Sequence, residues 1–173
     1  MQQVYIPSER IRALKKDRQM LKDLENASGC SITIEDETIT ISSENGYNEF
    51  NAKNIVHAYG RGFNLRTAEL LLNEDYYFAS IDIGILGSEK RVHRVKSRII
   101  GENGRTKTYI ENVSGAKLSV YGDTVSFIGS HSQISEAQTA VEALLHGATH
   151  KLAYSKMEAA HRKNKEDRRN AAF

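Results

Sequence analysis

Apolar positions in this chain follow two rhythms, a helical spacing of three and four and a strand spacing of two, and their succession occurs twice. Leu24-Glu25-Asn26-Ala27-Ser28-Gly29-Cys30-Ser31-Ile32-Thr33-Ile34 reappears as Ile110-Glu111-Asn112-Val113-Ser114-Gly115-Ala116-Lys117-Leu118-Ser119-Val120. The match continues from 37–41 into 123–127, always at an offset of 86 residues. Agreement in residue type and register over two elements points to a duplicated supersecondary unit. In each copy, apolar residues at helical spacing predict a helix: Met20, Leu21 and Leu24 in the first, Tyr109, Ile110 and Val113 in the second. The helix stops at Gly29 or Gly115, where a left-handed residue is expected. An alternating strand at 31–35 or 117–121, a tight turn, and a returning strand at 38–42 or 124–128 follow. A closing helix begins at a serine cap, Ser132 or Ser135 in the second copy, and carries Ala137, Val141, Leu144 and Leu145 on one stripe. Upstream, residues 3–6 and 90–95 read as opening strands, each followed by a short helix. The predicted fold is α+β: two tandem β-α-α-β-β-α units, each a three-stranded sheet with helices packed on one face.

Chemistry concentrates between the two short helices of the second copy, at Ile99-Ile100-Gly101-Glu102-Asn103-Gly104-Arg105. Two glycines without side chains let a loop take unusual dihedrals and let a sugar-phosphate chain lie against the protein backbone. The helix starting near Arg105 would turn free N–H groups and a positive dipole end toward phosphates. Arg105 and Lys107 can add charge-assisted contacts, with Lys96 and Arg98 on the approach side and Lys117 on the following strand. Ile99, Ile100, Ile110, Leu118 and Val120 are expected to form an apolar floor for unstacked bases. A lone Gly-x-x-Gly is a frequent string. Its place inside a complete β-α-α-β-β-α pattern is what gives it weight.

Through these residues, 91–146 resembles a type I KH domain, Ile-Ile-Gly-Glu-Asn-Gly standing where that family has Ile-Ile-Gly-x-x-Gly. One departure is Glu102, acidic where the variable loop positions are often basic. The first copy departs further. At the offset of 86 the loop becomes Lys15-Lys16-Asp17-Arg18, with neither glycine, so this stretch is expected to continue one helix and the first unit to serve as scaffold or protein-binding surface. A degenerate unit at 1–60, a connection at 61–89 entered through Tyr59-Gly60-Arg61-Gly62-Phe63 and holding an apolar helix and a strand, an intact unit at 90–150 and a basic helix or tail at 151–173 make up the expected domain plan. That plan is similar to the archaeal form of a KH-domain small-subunit ribosome-assembly factor, whose eukaryotic forms carry a long extra N-terminal region. The resemblance implies binding to single-stranded rRNA near the 3′ end of the small-subunit rRNA. It also implies two protein partners, the PIN-domain endonuclease that matures that end and the α subunit of translation initiation factor 2. The cytoplasmic setting expected for the chain comes instead from its composition and from a start, Met1-Gln2-Gln3-Val4-Tyr5, with no secretory pattern.

Composition narrows the alternatives. No apolar run approaches the roughly 20 residues that span a bilayer, and the single Cys30 leaves no cysteine pair for a disulfide or a zinc site. The net charge of +2 hides a gradient: ten Lys/Arg against fourteen Asp/Glu in 1–90, but seven against three in both 91–128 and 151–173. Basic segments of this kind are the electrostatic footprint of phosphate binding. In the tail, Arg162, Lys163, Lys165, Arg168 and Arg169 could follow an RNA backbone or form a solvated end. The six histidines show no metal-binding spacing, His146 and His150 being four apart with no third ligand in view. No Ser/His/Asp order, Walker loop or dinucleotide fingerprint occurs. A non-enzyme without metal or cofactor is therefore expected. The readings left open beside the assembly factor are a general KH module for other RNA and a protein–protein adaptor with a vestigial clamp.

Overall fold

The computed structural model describes residues 1–171. The chain falls into two compact units, Met1–Phe78 and the residues from Ala79 onward. The first contains β1 (Gln2–Tyr5), α1 (Ser8–Lys16), α2 (Arg18–Ser28), β2 (Ser31–Glu35), β3 (Thr38–Ser42), α3 (Gly46–Gly60) and α4 (Leu65–Ala68). Its sheet has the order β1-β3-β2 with antiparallel pairing. Val4, Ile32, Ile39 and Ile41 are buried, and with Ile11, Leu14, Leu24 and Ile55 they make the core.

The second unit repeats the plan: β4 (Tyr77–Asp82), whose first two residues close the first unit, is followed by α5 (Glu89–Ile100), α6 (Arg105–Ser114), β5 (Lys117–Tyr121), β6 (Thr124–Gly129) and α7 (His131–Leu145). It then adds α8 (His150–Ala171). The sheet order is β4-β6-β5. Ile83, Ile99, Ile110, Phe127, Leu144 and Met157 fill the core.

The repeated sequence owes its form to three local devices. The Glu25 carboxylate accepts from Ile32 N–H at 2.8 Å, and Glu111 accepts from Leu118 N–H at 2.8 Å, so each helix holds the start of the strand after it. Ser28 and Ser114 each donate to the carbonyl four residues back, at 2.7 Å. Gly29 and Gly115 take left-handed φ values of 65° and 78° and end the helices there.

Several sequence expectations change. Residues 90–95, read as the opening strand of the second unit, lie in α5: Val92, Val95 and Ile99 recur at helical spacing and face the core. The opening strand is β4, within the stretch read as a connection. Tyr59 and Phe63 are likewise built into the first unit, where the Arg10 guanidinium donates to both their carbonyls and lies 3.9 Å over the Tyr59 ring. The cap of α7 is Ser130, in a reciprocal capping box with Gln133, rather than Ser132 or Ser135. Residues 15–18 do not continue one helix. The helix breaks at Asp17, whose carboxylate accepts from Met20 N–H at 3.0 Å and starts α2.

Candidate nucleic-acid interface

The loop between α5 and α6 consists almost wholly of backbone in unusual conformations. Gly101 has φ 75° and ψ 173°, a region essentially closed to side-chain-bearing residues. A Cβ placed there would come within 2.7 Å of Thr106 N and 2.8 Å of Thr106 Cβ. Asn103 (φ 52°) and Gly104 (φ 76°) are left-handed, and Glu102–Gly104 forms a single tight turn. The loop leads into α6, whose N-terminus receives no side-chain cap; the Gly104 and Arg105 N–H groups donate to the Gly101 and Glu102 carbonyls and close the turn. Two glycines at these positions are thus a structural requirement at Gly101 and a conformational preference at Gly104.

Around the loop the sequence candidates separate. Arg105 is exposed at the start of α6 and Lys117 at the start of β5, the edge strand beside which α5 and α6 pack. Lys107 is half-buried, 3.6 Å from Glu111. Lys96 reaches across to the β5–β6 turn, its ammonium 3.0 Å from the Asp123 carboxylate. With Gly84, Gly87, Val92 and His93 this pair borders a depression of about 400 Å³. Arg98 does not face the approach side. Its guanidinium donates to the carbonyls of Leu144, at 3.0 Å, and Ala148, closing the end of α7.

The apolar floor is smaller than expected. Ile99, Ile110 and Leu118 are core residues with almost no surface; Ile99 points inward because it continues the Val92–Val95 stripe of α5. Ile100, 37% exposed, and the half-buried Val120 are the two of the five that a base could touch. Glu102 is exposed beside them.

A feature that sequence reasoning missed is the seam between α6 and α8. Tyr154 donates to Thr106 Oγ1 at 3.1 Å, and the Tyr109 and Tyr154 rings lie 4.3 Å apart. The Tyr109 hydroxyl donates to the Glu158 carboxylate; that bond first, and burial second, hold its phenol above the usual range. His150 Nε2 lies 2.9 Å from the Arg98 carbonyl. The tail thus braces the loop from behind through Thr106, and Ala153 and Met157, fully buried, anchor it. The apolar pair at a spacing of four, with Tyr154 between them, was the available signal. His146 and His150 turn to different partners, the former to the Glu142 carbonyl. Among the described residues no cluster of three or more His, Cys, Asp or Glu could hold a metal ion, and no helix is long and apolar enough to cross a membrane.

Residues 77–162, from β4 into α8, match the eukaryotic-type KH domain (KH-domain type I), in the form found as the second KH domain of PNO1. A KH domain-containing protein of Methanocaldococcus jannaschii is 36% identical over 170 residues, covering 94% of this chain and 75% of that relative. The chain belongs to this family of PNO1-type KH proteins. Dim2p from Pyrococcus horikoshii is an archaeal member of known structure, with 38% identity, a TM-score of 0.83 and coverage of 91% of this chain and 98% of that one. Dim2p in a complex with a/eIF2α and rRNA from the same organism is 37% identical, with a TM-score of 0.86 over 94% of each chain. The RNA-binding protein pno1 of Dictyostelium discoideum is 30% identical over 109 residues, and the chain spans 46% of its length. The PNO1-type match thus covers α5, the glycine loop, α6, β5 and much of α8. At Asp17, in the first unit, α1 and α2 meet through one residue with φ −104°, and no cradle of left-handed backbone forms.

Proposed function

We propose that the second unit binds single-stranded RNA in the groove between α5, the 101–104 loop and α6 on one side and β5 on the other. The RNA is the 3′ end of the small-subunit rRNA during ribosome assembly. The observation that carries this reading is the loop, in which three residues of positive φ feed a helix N-terminus with no side-chain cap. Backbone of that kind lets phosphates approach N–H groups directly. Arg105, Lys107 and Lys117 supply charge around it, Lys96 borders the groove at Asp123, and Ile100 with Val120 offers apolar surface to an unstacked base. The rRNA complex of a similar protein supports RNA as the ligand and the α subunit of translation initiation factor 2 as a partner. The PIN-domain rRNA endonuclease is the second partner, and rRNA cleavage belongs to it rather than to this chain.

Fluorescence anisotropy tests the reading with a short RNA copying that 3′ end, a scrambled RNA, and the wild-type and Glu102→Asp/Asn103→Asp proteins at two salt concentrations. The wild type is expected to prefer the rRNA sequence, and the added loop carboxylate to abolish binding. Equal binding to both RNAs, steep in salt and indifferent to the loop, would reduce the interaction to charge attraction and favour an adaptor role.

A further inference from the structure

Lys151, Ser155, Glu158, Arg162, Lys165 and Arg169 follow one another at spacings of three and four, so they share one stripe of α8. Glu158 fixes the position of that stripe, because its carboxylate accepts the Tyr109 hydroxyl of α6. The two contacts along the seam advance together, Thr106 with Tyr154 and then Tyr109 with Glu158. Hence α8 runs parallel to α6, away from the glycine loop. The stripe begins at Lys151, next to His150, which touches the Arg98 carbonyl three residues before Gly101. At 1.5 Å per residue it extends for about 27 Å.

Packing accounts for only part of this helix. Glu136 of α7, buried to 1% exposure, holds His161 and Asn164, each at 2.8 Å. Beyond Asn164 every described residue of α8 is exposed. Among the described residues Lys151, Arg162, Lys165 and Arg169 enter no ion pair. The one anion of the stripe, Glu158, is engaged by Tyr109. A helix dipole explains basic residues in the last turn, Arg168 and Arg169, but disfavours Lys151 in the first. A polyanion lying along the stripe would account for all four cations.

We propose that this stripe is a second part of the RNA site, guiding the phosphates of nucleotides that flank those in the groove. The inference rests on RNA binding by the groove, and RNA length separates the two. Anisotropy would be measured with two RNAs sharing one core, of about 6 and 16 nucleotides, over a salt series, for wild type and Arg162→Gln/Lys165→Gln/Arg169→Gln. For the long RNA, three lost phosphate contacts lower the slope of log affinity against log salt by about 2. Between about 50 and 200 mM salt, wild-type affinity for the long RNA then falls roughly twentyfold more than the variant's. The short RNA is bound alike by both proteins. Equal wild-type affinity for the two lengths, or an unchanged slope in the variant, would overturn the proposal while leaving the groove intact. Failure of wild type to bind either RNA would overturn both. Circular dichroism of the variant must retain the wild-type helix signal, and Arg162→Lys/Arg169→Lys should restore long-RNA binding.

Discussion

Replacing each loop glycine by alanine separates backbone geometry from mere flexibility. At Gly104 the added Cβ meets open space, so the cost is that of holding a non-glycine residue left-handed, about 1–2 kcal/mol. At Gly101, φ 75° and ψ 173° lie where only glycine is at ease, at about 1–3 kcal/mol. The Cβ also runs into Thr106, its backbone nitrogen included, and Thr106 is itself held by Tyr154. Such overpacking adds about 1–3 kcal/mol. Gly101→Ala is therefore expected to destabilise the second unit by about 2–6 kcal/mol, Gly104→Ala by about 1–2, and Gly104→Asn by less, since asparagine tolerates this conformation. Urea unfolding followed by circular dichroism measures these differences, with hydrogen exchange at the α6 amides reporting the second unit. Losses for the two alanine variants within about 0.5 kcal/mol of each other would refute the argument that Gly101 is fixed by Thr106.

Two further outcomes follow from particular contacts. Arg98→Gln removes charge-assisted bonds to two backbone carbonyls and should cost about 1.5–3 kcal/mol in denaturant, while short-RNA affinity well below the melting temperature stays near wild type; a selective loss of affinity would return Arg98 to the RNA site. His57 lies 5.0 Å from the Phe78 ring, and burial first, then the charges of Arg61 and Lys53, hold its imidazole below the usual range. The sign is that of a depressed base: the contribution is complete above about pH 6.5, the unfolded value, and is lost as pH falls through the folded one. An NMR titration should place His57 below free histidine, and His57→Gln should flatten the acid side of the first unit's stability profile.

How much of this was legible in the sequence depended on the range over which each residue acts. The duplicated element order, the glycine stops and the 101–104 loop are local: a dihedral restriction or a hydrogen bond to a neighbouring turn decides them. The opening strand of the second unit was misplaced because valine favours strands, whereas the spacing of three from Val92 to Val95 is helical; Ile99 and the pairing of β4 with β6 settle the matter. Likewise, Ile99 and Ile100 are the same residue type, and only the packing of α5 sends one into the core and leaves the other at the surface.

The repeated helix-strand-strand-helix order and the place of the loop thus follow from local sequence alone. Tertiary structure decided which charges are free to meet a ligand. Arg98 is taken by carbonyls 46 and 50 residues away, and Lys96 by a carboxylate 27 residues away. The tail became a brace for the loop because Tyr154 and Glu158 meet hydroxyls 48 and 49 residues earlier. A long polar side chain takes the partner that the folded chain brings within reach, and no local pattern encodes that distance.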